Sequence, residues 1–390
     1  GTPVTWCHKM IIIPKKSGKP RRTVDMQALN DHAVRETHHT QSPYHQARSV
    51  PSNTFKTVFD CWNGYHSVPL HKEDRHFTTF ITPKGRYRYK VAPQGYIASG
   101  DGYTRRFDEI VAEFPRKTKC IDDSLLWSDT IQQAFFHAVD WLDLCGKNGI
   151  TLNPSKFVFC KTTVTFAGFE ITPTTVRPCP KQLEAIRNFP KPQNITDVRS
   201  WFGLINQVAY AFASAQHMLP FRNLLKPGTP FHWSDDLNQL FEESKTIIID
   251  EIHKGVQIFD KNRPTCLGTD WSKDGVGFWL FQKHCSCNTS KPFCCKSGWK
   301  IALIGSRFTS TTESRYAPIE GEALAVADGL KKARHFVLGC ADLIIAVDHK
   351  PLLKVFGDRS LEDINNTRLV NLKEKTLQYK FRMVHIPGVR

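Results

Sequence analysis

The feature that most constrains this chain is a change of hydrophobic period along its length. Up to about Thr172 short β-rich runs mix with helical spacing, from Pro173 to about Asn262 strands vanish and helical spacing takes over, and after Arg263-Pro264 strands return. A strand repeats every two residues and a helix every 3.6, so a segment patterned for one does not serve as the other. At roughly 150 residues per domain, 390 residues suit two or three domains. The chain is therefore read as an α+β multidomain protein with parts at 1–172, 173–262 and 263–390.

Within the first part, Met10-Ile-Ile-Ile13, the turn Ser17-Gly-Lys-Pro20 and Thr23-Val-Asp25 predict a basic-tipped hairpin. Phe55 to Cys61 is a second strand, and Lys117 to Trp127 holds two more joined through Asp122-Asp123. Asp129 is a candidate cap for a helix with Ile131, Phe135, Val139 and Leu142 at helical spacing, which Gly146 should stop. In the second part Thr196 is a candidate cap before Val198, Phe202, Ile205, Ala209 and Phe212. The third part reads strand (265–270), strand (275–282), strand (299–308), helix (318–336), strand (343–348).

Lys plus Arg exceeds Asp plus Glu by 16, which points to a polyanionic partner. From Lys9 to Arg22 there are six basic residues and no acid, so that loop suits a phosphate-bearing ligand or is simply a solvated basic hairpin. The longest apolar stretch, Phe336 to Val347, is interrupted by Asp342 and is too short for a membrane span, which takes roughly 18 residues. Twelve cysteines at irregular spacing read as reduced thiols inside a cell.

Asp60 ends an apolar strand, and Asp122-Asp123 sit where a turn Gly or Asn would normally join two strands. Carboxylates gathered at adjacent strand ends repel one another, and hard divalent cations such as Mg²⁺ relieve that repulsion. The alternative is ordinary turn carboxylates paired with Lys117 or Lys119.

The surrounding segments decide between these readings. Val-Phe-Asp60-Cys-Trp-Asn-Gly-Tyr65 resembles the motif in which reverse transcriptases place their first aspartate, and Pro93-Gln94-Gly95-Tyr96 resembles their next motif. Cys120-Ile-Asp122-Asp123 resembles their paired-aspartate hairpin, with Cys120 where tyrosine is usual, and Phe166-Ala-Gly168-Phe169 the turn that grips the primer. Lys15-Lys16-Ser-Gly-Lys-Pro-Arg21-Arg22 through Leu29-Asn30 is similar to the fingers segment. Pro-Gln-Gly-Tyr replaces the more frequent Pro-Phe-Gly-Leu. Together these resemble the polymerase of a gypsy-type LTR retroelement.

The resemblance implies a right-hand polymerase, with fingers and palm in 1–172 and a helical thumb in 173–262 around Arg199-Ser-Trp-Phe-Gly-Leu204 and Phe231-His-Trp233, followed by an RNase H-like α/β domain. It implies that Asp60 and Asp122 ligate Mg²⁺ or Mn²⁺ with Asp123 in support. Arg21 and one of Lys15 or Lys16 would hold the triphosphate, Gln94 would lie along the nucleotide, and Lys156 would be the acid for the leaving pyrophosphate. Tyr65 would be the steric gate against a 2′-hydroxyl, and Phe166 and Gly168 the primer grip.

In the last part Gly268-Thr-Asp270, Glu320-Gly-Glu322 and Asp348-His-Lys350 look like the RNase H domain of such elements, implying that Asp270, Glu322 and Asp348 ligate metal. The alternative for Glu322 is a solvent-facing helix glutamate, which is how Glu320 is read. That family carries a fourth carboxylate after a His-Ile-Pro-Gly-like segment, and the sequence given ends at His385-Ile-Pro-Gly-Val-Arg390. The domain is thus read as C-terminally incomplete, with an expectation of DNA synthesis but poor hybrid cleavage. Cys285, Cys287, Cys294 and Cys295 read by default as a thiol-rich loop, with Zn²⁺ as the alternative.

The expected partners are RNA template, DNA primer, RNA–DNA hybrid and dNTPs, with no membrane, in a cytoplasmic retroelement particle and possibly the nucleus. The reading from another class is a domesticated, non-catalytic nucleic-acid-binding or particle-forming protein. An RNA-templated RNA polymerase is disfavoured by Tyr65 and the RNase H segment.

Overall fold

The structure is a computed structural model that describes residues 5–14, 18, 20–62, 64–289, 291–357 and 359–388. Lys15 and Lys16 lie outside the described residues. The chain divides into two compact units, Gly1–Ala167 and Gly168–Arg390.

In the first unit β1 (His8–Pro14) and β2 (Pro20–Val24) form the expected hairpin, with Met10 opposite Val24. Its Ile11, Ile12 and Ile13 are exposed. Short helices α1 (Gln27–Asn30) and α2 (Pro43–Arg48) follow. The centre is an antiparallel sheet in which β3 (Phe55–Asp60) is flanked by strands from later in the chain. Before them come β4 (Phe80–Thr82), which extends the first hairpin's sheet, β5 (Gly85–Tyr87) and α3 (Ser99–Val111). Next, β6 (Lys117–Cys120) and β7 (Asp123–Ser128) make a tight hairpin, α4 (Ile131–Lys147) crosses back, and β8 (Val158–Lys161) and β9 (Val164–Phe166) finish the unit. The sheet order is β6-β7-β3-β8. One core joins Phe59, Tyr103, Phe107, Leu126, Ala138 and Trp141, so α3 and α4 cover the same sheet face.

The α4 expectations need correcting. Its cap is Thr130, whose hydroxyl accepts from the Gln133 amide, while Asp129 pairs with Arg116 at 2.7 Å. The buried stripe is Ala134, Ala138, Trp141 and Cys145; Ile131, Phe135, Val139 and Leu142 are exposed. Two apolar stripes share this helix, and the one with small alanines lets the backbone approach the sheet while Trp141 fills the remaining space. Gly146 lies inside the last turn; the helix stops at Asn148, followed by Gly149 at φ +68°.

In the second unit strands persist past Pro173, contrary to expectation: β11 (Thr175–Pro178) pairs antiparallel with β10 (Phe169–Ile171) before it and with β12 (Val256–Gln257) after the helices. Between them α5 (Pro180–Arg187), α6 (Ile195–Asn206), α7 (Ser214–Arg222) and α8 (Asp235–His253) pack around Trp201, Phe221 and Phe241, the Trp201 and Phe241 rings 4.9 Å apart. The cap of α6 is Asn194, accepting from Thr196 and Asp197 amides, not Thr196. Ala209 and Phe212 lie beyond the end of α6.

The unit ends in a five-stranded mixed sheet. Its antiparallel half is β13 (Thr265–Trp271), β14 (Gly275–Lys283) and β15 (Trp299–Phe308). α9 (Pro318–Lys332) covers it, and α10 (Arg334–Val337) is separate, so the helix expected through Phe336 breaks at Ala333. β16 (Leu343–Val347) lies parallel to β13, and α11 (Leu352–Phe356) and α12 (Thr367–Glu374) lead to β17 (Arg382–His385), parallel to β16. The order is β15-β14-β13-β16-β17. Among the described residues no helix is long and apolar enough to cross a membrane.

Candidate active sites

In the first unit strand register builds the acidic cluster. β3 and β7 pair without a slip from Phe55 opposite Ser128 to Asp60 opposite Asp123. The β6–β7 turn bends through Ile121 at φ +54°, and the Cys61 amide donates to the Asp122 carbonyl at 2.9 Å, fixing the turn against the end of β3. Asp60, Asp122 and Asp123 therefore meet although 62 residues separate the first two. Their repulsion is legible in protonation: burial, then the Asp60 charge, pushes Asp123 up to about 6. Asp122 is raised as well, burial first.

Neither lysine pairs with the turn carboxylates: Lys117 donates to the Ala112 and Phe114 carbonyls, and Lys119 pairs with Asp108 at 2.8 Å while donating to the Ile121 carbonyl and lowering the Asp122 pKa through its charge. The cation bonded to the cluster is Lys156, whose Nζ donates to Asp60 Oδ2 at 2.9 Å and whose pKa that bond raises. The Asn153 amide, bonded to the Asp60 carbonyl at 2.8 Å, anchors the turn that carries it.

Arg21 and Gln94 come together across 73 residues, Nη2 donating to Oε1 at 2.9 Å. Sequence reading gave no role to the residue that positions Gln94. Asn30 donates to the Gly95 carbonyl and accepts from the Ile97 amide, both at 2.9 Å. Gly95 has φ +95°, and a Cβ there would lie 3.3 Å from the Val24 carbonyl, so a side chain would push this loop off β2. Asn30 is half-buried at the end of α1, and a single asparagine there gives no sequence signal for such a bridge.

Tyr65 is half-buried, edge-on to Tyr103 at 5.6 Å between ring centroids. Burial raises its pKa, the Asp122 carboxylate adds to that, and Arg21 opposes it, so the phenol lies within the field of both groups. Phe166 is buried, and Gly168 turns at φ +88°.

The second unit holds another carboxylate set. Parallel pairing of Gly268 with Ala346 carries Asp270 and Asp348 to the same end of neighbouring strands. Gly321 lets α9 approach β13: a Cβ there would fall 2.1 Å from the Trp271 ring. Glu322, one residue on, is buried, and its Oε2 has no hydrogen-bond partner. Burial pushes Glu322 up to about 8, the charges of Asp348 and Asp270 adding to it, while the Trp271 amide opposes. His385 bonds the Asp348 carbonyl at 2.9 Å, tying the strand end to β17.

Glu320 does not face solvent as expected. It is buried, accepting from Asn366 at 2.8 Å, Arg368 at 2.7 Å and the Ala317 amide at 3.1 Å. This holds α12 to α9 and lowers its pKa, the Asn366 bond being the main cause. A glutamate two residues after Pro318 was the available signal, because it matches the helix-start pattern.

The four cysteines between β14 and β15 converge, with all Sγ atoms within 4.8 Å of one another.

Residues 13–171 match the family described as reverse transcriptase (RNA-dependent DNA polymerase), and residues 260–379 the RNase H-like domain found in reverse transcriptase. Similar curated proteins include the transposon Tf2-3 and Tf2-7 polyproteins of Schizosaccharomyces pombe, each 24% identical over 97% of this chain and 28% of the relative. The chain thus spans 28% of the length of these relatives. Among solved structures, the foamy viral protease-reverse transcriptase in complex with dsDNA has TM-score 0.83 at 18% identity, covering 100% of this chain and 79% of that one. The same viral protein in complex with an RNA/DNA hybrid has TM-score 0.76 at 17% identity, covering 100% and 51%. The chain belongs to the reverse transcriptase family over residues 13–171 and to the RNase H-like family of reverse transcriptases over residues 260–379, the order found in gypsy-type LTR retrotransposon polyproteins.

Proposed function

We propose that the first unit extends a DNA primer with dNTPs on RNA or DNA templates, and that the RNase H-like domain cleaves the RNA strand of RNA–DNA hybrids. The observation that carries this reading is the β3–β7 register, which brings Asp60, Asp122 and Asp123 to one strand end beside Lys156. The family and the +16 charge support it.

Both carboxylate sets suit hard divalent cations. Asp123 and Glu322 hold protons far above the usual carboxylate range, and Glu322 Oε2 is buried without a partner. Oxygen donors crowded in this way match Mg²⁺, with Mn²⁺ as a substitute, on Asp60 and Asp122 in one site and Asp270, Glu322 and Asp348 in the other. When bound, such ions stabilise attacking and leaving oxygens.

The remaining roles fall to the chain's own groups. Arg21 grips triphosphate oxygens bidentately, and Gln94, held by Arg21 and by the Asn30 bridge, lies along the nucleotide. Lys156 stays charged through its Asp60 bond and carries the proton for the leaving pyrophosphate. The Tyr65 ring, backed by Tyr103, occupies the space a 2′-hydroxyl would need. Phe166 and Gly168 shape the turn under the primer end.

The test is extension of a labelled primer on RNA and on DNA templates with Mg²⁺, beside cleavage of a labelled hybrid by the same preparation. Binding of primer–template without extension in either metal would replace this reading with a non-catalytic nucleic-acid-binding protein.

A further inference from the structure

We infer that the loop joining β14 to β15 holds a structural zinc ion on Cys285, Cys287, Cys294 and Cys295. Residues 284–298 contain no helix or strand among those described, a length at which a loop inside a compact domain needs its own organising element. The element here is the thiol cluster. Four thiolates at about 2.3 Å from one ion stand about 3.8 Å apart at tetrahedral angles. The four Sγ atoms lie within 4.8 Å of one another, with Cys285 and Cys294 at 3.5 Å.

The surroundings are built for the cluster. Phe293 adopts φ +56° while packing edge-on against Phe281 at 5.0 Å, turning the chain so that consecutive Cys294 and Cys295 reach one point. Trp299 Nε1 donates to Cys294 Sγ at 3.5 Å. Gly298 leaves the room: a Cβ there would lie 2.4 Å from Cys295 Sγ and 2.7 Å from Cys285 Sγ. Lys283 donates to the carbonyls of Cys287 and Thr289, placing an ammonium beside a centre that four thiolates would leave with net negative charge.

Four protein ligands leave no open position, so the ion shapes the loop and performs no chemistry. It is also remote from the nuclease acids. Asp270 pairs with Gly277, and β14 runs six residues further to Lys283, about 20 Å at 3.3 Å per residue.

The inference is tested on the full chain purified under reducing conditions without added metal, and it does not depend on polymerase or nuclease activity. Elemental analysis should find about one zinc per chain, and the Co²⁺-exchanged protein should show thiolate charge-transfer and tetrahedral d–d bands. Cys285→Ser with Cys295→Ser should fall below about 0.1 zinc per chain, whereas Cys340→Ser should retain the ion. If the double variant does not fold, the parent's zinc content and cobalt spectrum decide. Metal-free parent protein whose four thiols react freely with a thiol reagent while folded would overturn the inference, and so would a mass deficit showing disulfides in this loop.

Discussion

The two carboxylate clusters solve one electrostatic problem differently. The first places Asp60, Asp122 and Asp123 on strand ends and a turn, and includes its own cation, Lys156, at 2.9 Å from Asp60. The second presses Glu322 on a helix against Asp270 on a strand and Asp348 just past the end of one, and the influences on Glu322 are burial, those two carboxylates and the Trp271 amide. Asp123 rises to about 6 and Glu322 to about 8. A resident ammonium moderates the first cluster, whereas the glutamate of the second remains mostly protonated at neutral pH until a cation arrives. On the proposed reading the second site should therefore depend more steeply on metal concentration.

The largest expected effect is Asp122→Asn, which should slow primer extension by about 10³-fold or more, over 4 kcal/mol of barrier, with primer–template affinity nearly unchanged. Extension at the parental rate would remove Asp122 from the machinery.

Glu322→Gln should abolish hybrid cleavage and leave extension intact, and it tests the electrostatics through stability. Folded Glu322 binds its proton more tightly than the unfolded side chain. Between about pH 4.5 and 8 the folded state thus holds the extra proton, and stability falls as pH rises through that window. In EDTA at pH 8.5 the glutamine variant should be more stable than the parent by on the order of 3 kcal/mol, with little difference at pH 4. Equal denaturation midpoints at both pH values would mean Glu322 is not strained by its neighbours.

Lys156→Ala should slow extension by about 10- to 100-fold. Lys156 lowers the pKa of Asp123, so its loss raises that pKa further above about 6 and moves the acidic limb of the extension pH profile upward. A limb that stays in place would show that the ammonium does not moderate the cluster.

On the proposed reading the two sites treat a 2′-hydroxyl oppositely, one excluding it and the other acting on the strand that carries it. Tyr65→Ala should reduce discrimination against ribonucleoside triphosphates by about tenfold or more without altering hybrid cleavage. Unchanged discrimination would leave Tyr65 as a packing residue against Tyr103.

Much of this was legible in the chain because local pattern and global placement agree. The basic hairpin, the strand ending in Asp60, the strand carrying Asp270 and the strand leading to Asp348 each form where period and turn residues indicate. Failures occurred where two local patterns compete. α4 carries two apolar stripes, and helical spacing cannot say which the sheet will cover. Glu320 and Glu322 lie two apart on one helix, and both are buried, one in an ion pair and the other among carboxylates. Lys56 sits mid-strand with its ammonium buried, donating to the Thr54 and Thr162 carbonyls, a placement that no spacing rule anticipates.

The sequence by itself determined which residue types are available for chemistry and on which elements most of them ride, because both depend on residue type and short-range period. Tertiary structure alone decided that Asp60 meets Asp123, that Arg21 meets Gln94 and that four thiols share one point. Those meetings depend on strand register, on left-handed turns at Ile121 and Phe293, and on the close approach permitted at Gly298. Each joins segments whose separation along the chain says nothing about their distance in space, since only packing brings them together.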